Sequence, residues 1–350
     1  MTIRAVTAGF MSLALVASTN PLPRVPAQAE TRPVTEKLGD RADDPAIWRN
    51  PDDPTASLIV STDKKGGLAV HDLTGKLLNV QRLGALNNVD IFPDAALAGT
   101  PSVIVAASDR GDKKRPVLRF YKLETGTPTF TPVGAIHLAG GEAYGLCLYR
   151  HGDTRGAFMI YEEGVIEQVE LDFSGSEVTG RSVRRHDLGS RSEGCVADPR
   201  TDSVYVAEDK VAIWRFETNP QRPMEPVRFA AVDDVRLHKD VEGLAILPRG
   251  IDGGLLFASS QGNDSFSVFR LPHGDFVGGF RIDGGTIDGT EDTDGIALDP
   301  RPFGTVFPGG LFVAQDGKNR DTVEGKTRRA PQNFKLVSLR DIIAALGEPE

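Results

Sequence analysis

Glu193-Gly-Cys-Val-Ala197 recurs 49 residues later as Glu242-Gly-Leu-Ala-Ile246, and 52 residues after that as Asp294-Gly-Ile-Ala-Leu298. In each, an acid and a glycine open a short apolar run. Working outward, looser copies stand at Tyr144-Gly-Leu-Cys-Leu148, Asn88-Val-Asp-Ile-Phe92 and Asp44-Pro-Ala-Ile-Trp48. Counted from Asp44, Asp90, Tyr144, Glu193, Glu242 and Asp294, the steps are 46, 54, 49, 49 and 52 residues. A second pattern follows each copy: an apolar strand, a polar cluster and often another alternating strand. Leu255-Leu-Phe-Ala-Ser259, then Gln261-Gly-Asn-Asp264, then Phe266-Ser-Val-Phe269 is one instance. Period-two strands separated by turn residues and repeated near fifty residues fit the blades of a propeller. Six units predict an all-β fold, a six-bladed β-propeller in a single domain over residues 30–350. One short C-terminal helix is expected after Ser338. Ser338 caps it, Leu339, Ile342, Ile343 and Leu346 share a face, and Gly347 ends it.

This repeat decides where the charges go. In an antiparallel pair, the start of the first strand lies beside the end of the second. The strand-start residues and the polar clusters should therefore share one face of the disc. That gathers Asp43, Asp44, Asp90, Glu193, Glu208, Asp209, Asp240, Glu242, Asp288, Glu291, Asp292, Asp294 and Asp316 around one mouth. So many carboxylates need compensation. Hard cations such as calcium, with six to eight oxygen ligands, suit them. The six histidines are scattered, which argues against zinc or copper. Asp283–Asp294, closed by Gly295, carries five acids in twelve residues and reads as an oxygen-rich metal loop, though not an EF-hand. Lys64, Lys65 and Arg110 fall on the same face and suggest an anion clamp.

The 350 residues carry 40 Lys+Arg against 49 Asp+Glu, a net charge of -9. That excess disfavours nucleic acid and anionic membrane surfaces as partners. Residues 1–29 read as a secretory leader. Arg4 precedes an apolar run from Ala5 to Ala17, and Ala27-Gln28-Ala29 fits the small-x-small cleavage rule. The run is shorter than the ~20 residues of a membrane span. A secreted or periplasmic monomer is expected. Cys147 and Cys195 should lie in strands. Buried free thiols are the plainer reading, and pairing stays open for an exported chain.

Asp43-Asp-Pro-Ala-Ile-Trp48, Thr62-Asp-Lys-Lys-Gly-Gly-Leu-Ala-Val70, Leu86-Asn-Asn-Val-Asp-Ile91 and Ala258-Ser-Ser-Gln-Gly-Asn263 resemble the β-propeller phytases. So do Asp292-Thr-Asp-Gly295, Leu311-Phe-Val-Ala-Gln-Asp-Gly317 and Asn333-Phe-Lys335, and the motifs run in order. The resemblance implies a calcium-dependent phosphatase in which several ions bridge acids and phosphate and a calcium-bound water attacks phosphorus. Its substrate would be phytate, an inositol with six phosphates. It implies calcium ligands at Asp44, Glu193, Glu208, Asp209, Asp240, Glu242, Gln261, Asp288, Asp294 and Asp316. Phosphate contacts would be Lys64, Lys65 and Arg110. Tyr144, Glu193, Asp240, Glu242 and Asp294 would serve the cleavage site. Glu162 stands where the family pattern has a Lys, which removes or reverses one phosphate contact. Asp209 stands where Glu is usual. The competing readings are another six-bladed calcium hydrolase, of the lactonase or organophosphate type, and a non-catalytic ligand-binding propeller.

Overall fold

A computed structural model describes residues 21–323 and 325–349. Strands dominate, and they assemble into six blade sheets around a central channel, five of four strands and one of five, with a separate two-stranded hairpin at Arg320–Val323 and Lys326–Arg329. Blade 1 runs Ala42–Trp48, Leu58–Asp63, Gly67–Asp72, Leu77–Arg82, and blades 2 to 5 repeat this antiparallel order. Their innermost strands are Leu86–Leu97, Ala143–His151, Ser192–Asp198 and Val241–Arg249. Blade 6 begins with Ile296–Asp299, Leu311–Asp316 and Asn333–Ser338, and its outermost strand is Ala29–Glu30. The six units of the repeat are thus six blades. The apolar residues of each period-two strand pack between neighbouring blades, as Cys147, Phe158 and Ile160 of blade 3 do with Val204, Val206 and Phe216 of blade 4. The expected helix covers Leu339–Ala345, and the Ser338 hydroxyl accepts the Asp341 N–H at 3.2 Å.

The inner strands repeat one irregularity. In blades 1 to 5 the pairing of the first strand with the second skips one residue, a bulge in which two residues face one. The bulged pairs are Asp43-Asp44, Asn87-Asn88, Tyr144-Gly145, Glu193-Gly194 and Glu242-Gly243. These are the strand starts picked out by the repeat. A bulge re-aims side chains, and here it does so at the ends that share one face.

Ring closure joins the two ends of the chain. Ala29 and Glu30 pair antiparallel with Leu336 and Lys335. Upstream, Arg24 and Val25 pair in parallel with Arg281 and Ile282 on the outer edge of blade 5, and Val25 is buried. The leader expected over residues 1–29 falls mainly outside the described residues. Its last part, from Pro21 to Ala29, is described and is built into two blades. A cut after Ala29 would remove one strand and half of another.

The two cysteines correct a sequence expectation. They are bonded to each other, with Cα atoms 5.6 Å apart. A side chain at Gly145 would collide with the Glu193 carbonyl, so the inner strands of blades 3 and 4 run close together there. The cysteines just beyond that contact face each other across the seam. With the two cysteines 48 positions apart in sequence, chain entropy alone gives the crosslink roughly 4 kcal/mol.

Two stability outcomes follow. A chain starting at Glu30 should melt roughly 5–10 °C below one starting at Pro21, since Val25 burial and the blade 5 edge pairing are lost. Equal melting temperatures would show that the segment adds nothing. The second outcome concerns His71, which is fully buried with Nε2 2.8 Å from the Arg32 carbonyl. Burial lowers its pKa from 6.5 to about 4. The unfolded chain therefore takes up a proton between pH 6.5 and 4 that the native state refuses, and stability falls as pH falls through that window. The loss is about 3 kcal/mol. Urea unfolding of His71→Gln should show a shallower loss of stability than wild type between pH 6.5 and 4. Identical slopes would remove His71 as the cause.

Candidate active site

The bulges bring four acids to the mouth of the channel, and the lead-in to blade 6 brings a fifth. Asp43, Asp44, Glu193 and Glu242 are buried there, and Asp294 is nearly so. Burial raises the pKa of all five, and for Asp43, Asp44 and Glu242 the rise is large. Neighbouring carboxylates add to it: Glu193, Asp209 and Asp294 act on Glu242. Asp209 is pushed up to about 7, first by burial.

Lys64 counters one side of this group. Its ammonium lies 2.8 Å from Asp294 Oδ2, 3.0 Å from Asp40 Oδ1 and 3.6 Å from Asp43 Oδ1. Burial opposes that charge, but the carboxylates outweigh it and raise its pKa. Gln261 Nε2 donates to the other Asp294 oxygen at 2.7 Å. On the far side, Arg110 is held by the Glu142 carboxylate and donates to Asn87 Oδ1 at 2.6 Å. The Asn87 amide in turn donates to Glu193 Oε1 at 2.8 Å. The Arg110 guanidinium lies 5.1 Å from the centre of the Tyr144 ring. Lys65, next to Lys64 in the chain, is exposed.

Other expected residues stand apart. Glu208 is buried with its oxygens taken by the Ser190 hydroxyl at 2.5 Å and the Trp214 indole N–H at 2.7 Å. Asp240 has a left-handed backbone with φ 58° at the edge of the acid group, where its charge acts on Asp209. Asp288 and Asp316 gather round the fully buried Lys335 together with Glu30 and Asn319. The Asp283–Gly295 stretch does not close on one ion either. Its acids face five separate cations: Arg24, Lys335, Arg320, Lys318 and Lys64. Those cations come from the N-terminal segment, blade 1 and three places along blade 6, so the carboxylates diverge.

Four contributors escaped the sequence reading: Asn87, Glu142, Arg191 and Lys335. Arg191 donates to the Tyr144 hydroxyl and ion-pairs with Asp209 at 3.0 Å and Glu242 at 3.6 Å. A signal for it existed. Two residues before Tyr144, Glu193 and Glu242 stand Glu142, Arg191 and Asp240, all charged.

Among the described residues, no three His, Cys, Asp or Glu side chains are already assembled as a metal cluster. The residues still fit a hard cation. Both oxygens of Asp43, both of Asp209 and Oε2 of Glu242 are buried without a hydrogen bond, although Arg191 stands near Asp209. Unpaired buried carboxylate oxygens are costly, and an oxygen-seeking divalent ion would satisfy them.

Comparison with known proteins agrees with the geometry. The chain is 39% identical over 337 residues to the 3-phytase of Bacillus subtilis (strain 168), covering 93% of this chain and 86% of that protein. Its fold resembles the crystal structure of the β-propeller domain of Myceliophteria thermophila Cps50 (Swd1). There the TM-score is 0.50 and the identity 14%, over 85% of this chain and 83% of that one. The family model that matches, over residues 2–350, is Phytase, and the chain belongs to that family.

Proposed function

We propose that the protein is a phosphoric monoester hydrolase of the 3-phytase type, releasing phosphate from phytate with calcium as its cofactor. One observation carries the calcium part: buried carboxylate oxygens without hydrogen bonds line a mouth that also presents cations. The family and the 3-phytase relative support the substrate. A lactonase-type propeller would have no use for Lys64, Lys65 and Arg110 together. A purely ligand-binding propeller would bind the same anion without turnover.

Asp43, Asp44, Glu193, Asp209, Asp240, Glu242, Gln261 and Asp294 would hold the ions. When bound, calcium supplies Lewis acidity, screening phosphate charge and making water at the site more acidic. The chain does the rest. Arg110 offers its guanidinium to phosphate oxygens from a fixed position, because Glu142 and Asn87 restrain it. Exposed Lys65 adds a mobile point charge. Tyr144 keeps its proton, since burial raises its pKa, so its hydroxyl works as a neutral hydrogen-bonding group. Asn87 ties the Arg110 and Glu193 positions together. Glu208, the last residue of the second strand of blade 4, ties that strand to the third through the Trp214 indole. Export of a monomer is part of the same proposal, with any leader ending upstream of Pro23 so that the closing strands survive.

Phosphate release from phytate at neutral pH should require added calcium and stop with a calcium chelator. No release at any calcium level would sink the enzymatic reading. Glu193→Ala and Asp294→Ala should each lower kcat by roughly 10²–10³-fold, the scale of losing a key electrostatic group. Both variants should keep the wild-type circular dichroism spectrum. Wild-type turnover in both would move the site elsewhere.

A further inference from the structure

We infer that Arg191 is a phosphate-binding residue that parks on the calcium-binding carboxylates until they are occupied. The inference rests on the phytase reading above and adds a binding residue to it. Arg191 precedes the blade 4 bulge, next to Ser192 and Glu193. Its guanidinium lies 5.2 Å from the centre of the Tyr144 ring, against 5.1 Å for Arg110. Two forks therefore border one aromatic ring at the mouth. They differ in restraint. Arg110 is mostly covered and fixed by Glu142 and Asn87, whereas the Arg191 side chain is 48% exposed. Arg191 reaches Asp209 at 3.0 Å and Glu242 at 3.6 Å. The Asp209 contact lacks hydrogen-bond alignment, since neither Asp209 oxygen has a hydrogen-bond partner. At the two acids the guanidinium is held by charge rather than by fitted geometry, and its one hydrogen bond goes to the Tyr144 hydroxyl.

Those two acids are among the proposed calcium ligands. A divalent cation and a guanidinium cannot both neutralise the same oxygens at close range. Calcium on Asp209 and Glu242 would release the fork, and Tyr144 keeps it beside the place where Arg110 receives phosphate. Planar, bidentate geometry then favours a phosphate oxygen pair. Cation and substrate binding are coupled through this one side chain. Calcium clears the guanidinium from the acids, and the freed guanidinium binds the anion.

The coupling predicts effects of opposite sign, which a merely structural arginine would not give. In Arg191→Gln, calcium should bind the substrate-free protein more tightly, because its competitor is gone. Inositol hexasulfate, a non-hydrolysable polyanion, should bind the calcium-loaded protein about tenfold or more weakly, the value of one charge-assisted contact. Arg191→Lys keeps the charge without the fork, so it should restore calcium affinity to near wild type but only part of the anion affinity. Both constants are read by calorimetry, with melting temperatures to verify folding. Unchanged anion affinity in Arg191→Gln, or weaker calcium binding, overturns the inference. A wild-type protein that binds neither calcium nor the polyanion overturns the phytase reading itself. Normal wild-type binding with no opposite shift overturns only the role of Arg191.

Discussion

The contact between each blade's bulge and the backbone of the next blade sets the dimensions of the mouth. A side chain at Gly145 would meet the Glu193 carbonyl, one at Gly194 the Glu242 carbonyl, one at Gly243 the start of blade 6, and one at Gly295 Asp44. Gly243 N–H donates to the Asp294 carbonyl at 2.9 Å and Gly295 N–H to the Asp43 carbonyl at 3.0 Å. Glycine recurs after the strand-start residue because the neighbouring blade occupies the space a Cβ would need. In blades 1 and 2 a hydroxyl completes the seam. Thr62 and Ser108 each accept a bulge N–H and donate to the next blade, at the Asn87 and Tyr144 carbonyls. Gln315 bridges blade 6 to blade 1 through the Asp294 N–H and the Ala42 carbonyl.

That spacing creates the electrostatic problem which the chemistry uses. The residues brought close enough to raise one another's pKa are Asp43, Asp44, Glu193, Glu242 and Asp294. Held apart in water they would repel weakly; buried together they resist ionisation. Lys64 and Arg191 relieve opposite sides of the group, and neither satisfies every oxygen. A polyanion approaching this mouth meets net charge that depends on how many cations the acids hold. The chain's overall charge of -9 says little about that local field. An acidic protein can receive a polyphosphate when its acids are concentrated where cations compensate them.

The repeat made the blades, their number and the face that gathers the acids legible, because strand-start residues and hairpin ends are fixed by antiparallel pairing. The terminal helix was legible from its cap and apolar face. Three things were not. The closing strands at Arg24–Val25 and Ala29–Glu30 are too short for any pattern, and they exist only because blades 5 and 6 offer open edges. The cysteine pairing depends on how closely two inner strands approach, which spacing does not reveal. Arg191 is hidden for another reason: its role comes from neighbours on blades 3 and 5, Tyr144 and Glu242, far away in sequence.

The same comparison separates acids of the fold from acids of the chemistry. Around Lys335 the ammonium is completely buried, 3.0 Å from Asn319 Oδ1 and 3.3 Å from Asp316 Oδ2, with Glu30 and Asp288 in direct contact. Asp316 Oδ1 also accepts the Glu291 N–H, and Asp288 Oδ2 the Arg320 N–H. A buried ammonium needs its partners, and removing one is far more costly than the pair is stabilising. Glu30 belongs to the closing strand, so this charge network also fixes where the ring closes. Lys335 meets much of the demand of these oxygens, although Asp316 Oδ2 keeps no hydrogen bond, so Asp288 and Asp316 sit round a lysine rather than with the acids of the mouth. At the mouth more is left over. Both oxygens of Asp43, both of Asp209 and Oε2 of Glu242 lack a hydrogen bond, and the nearest cations, Lys64 and Arg191, are shared among several acids. Carboxylates of equal burial thus differ in how much remains unpaired, and the larger remainder lies at the mouth.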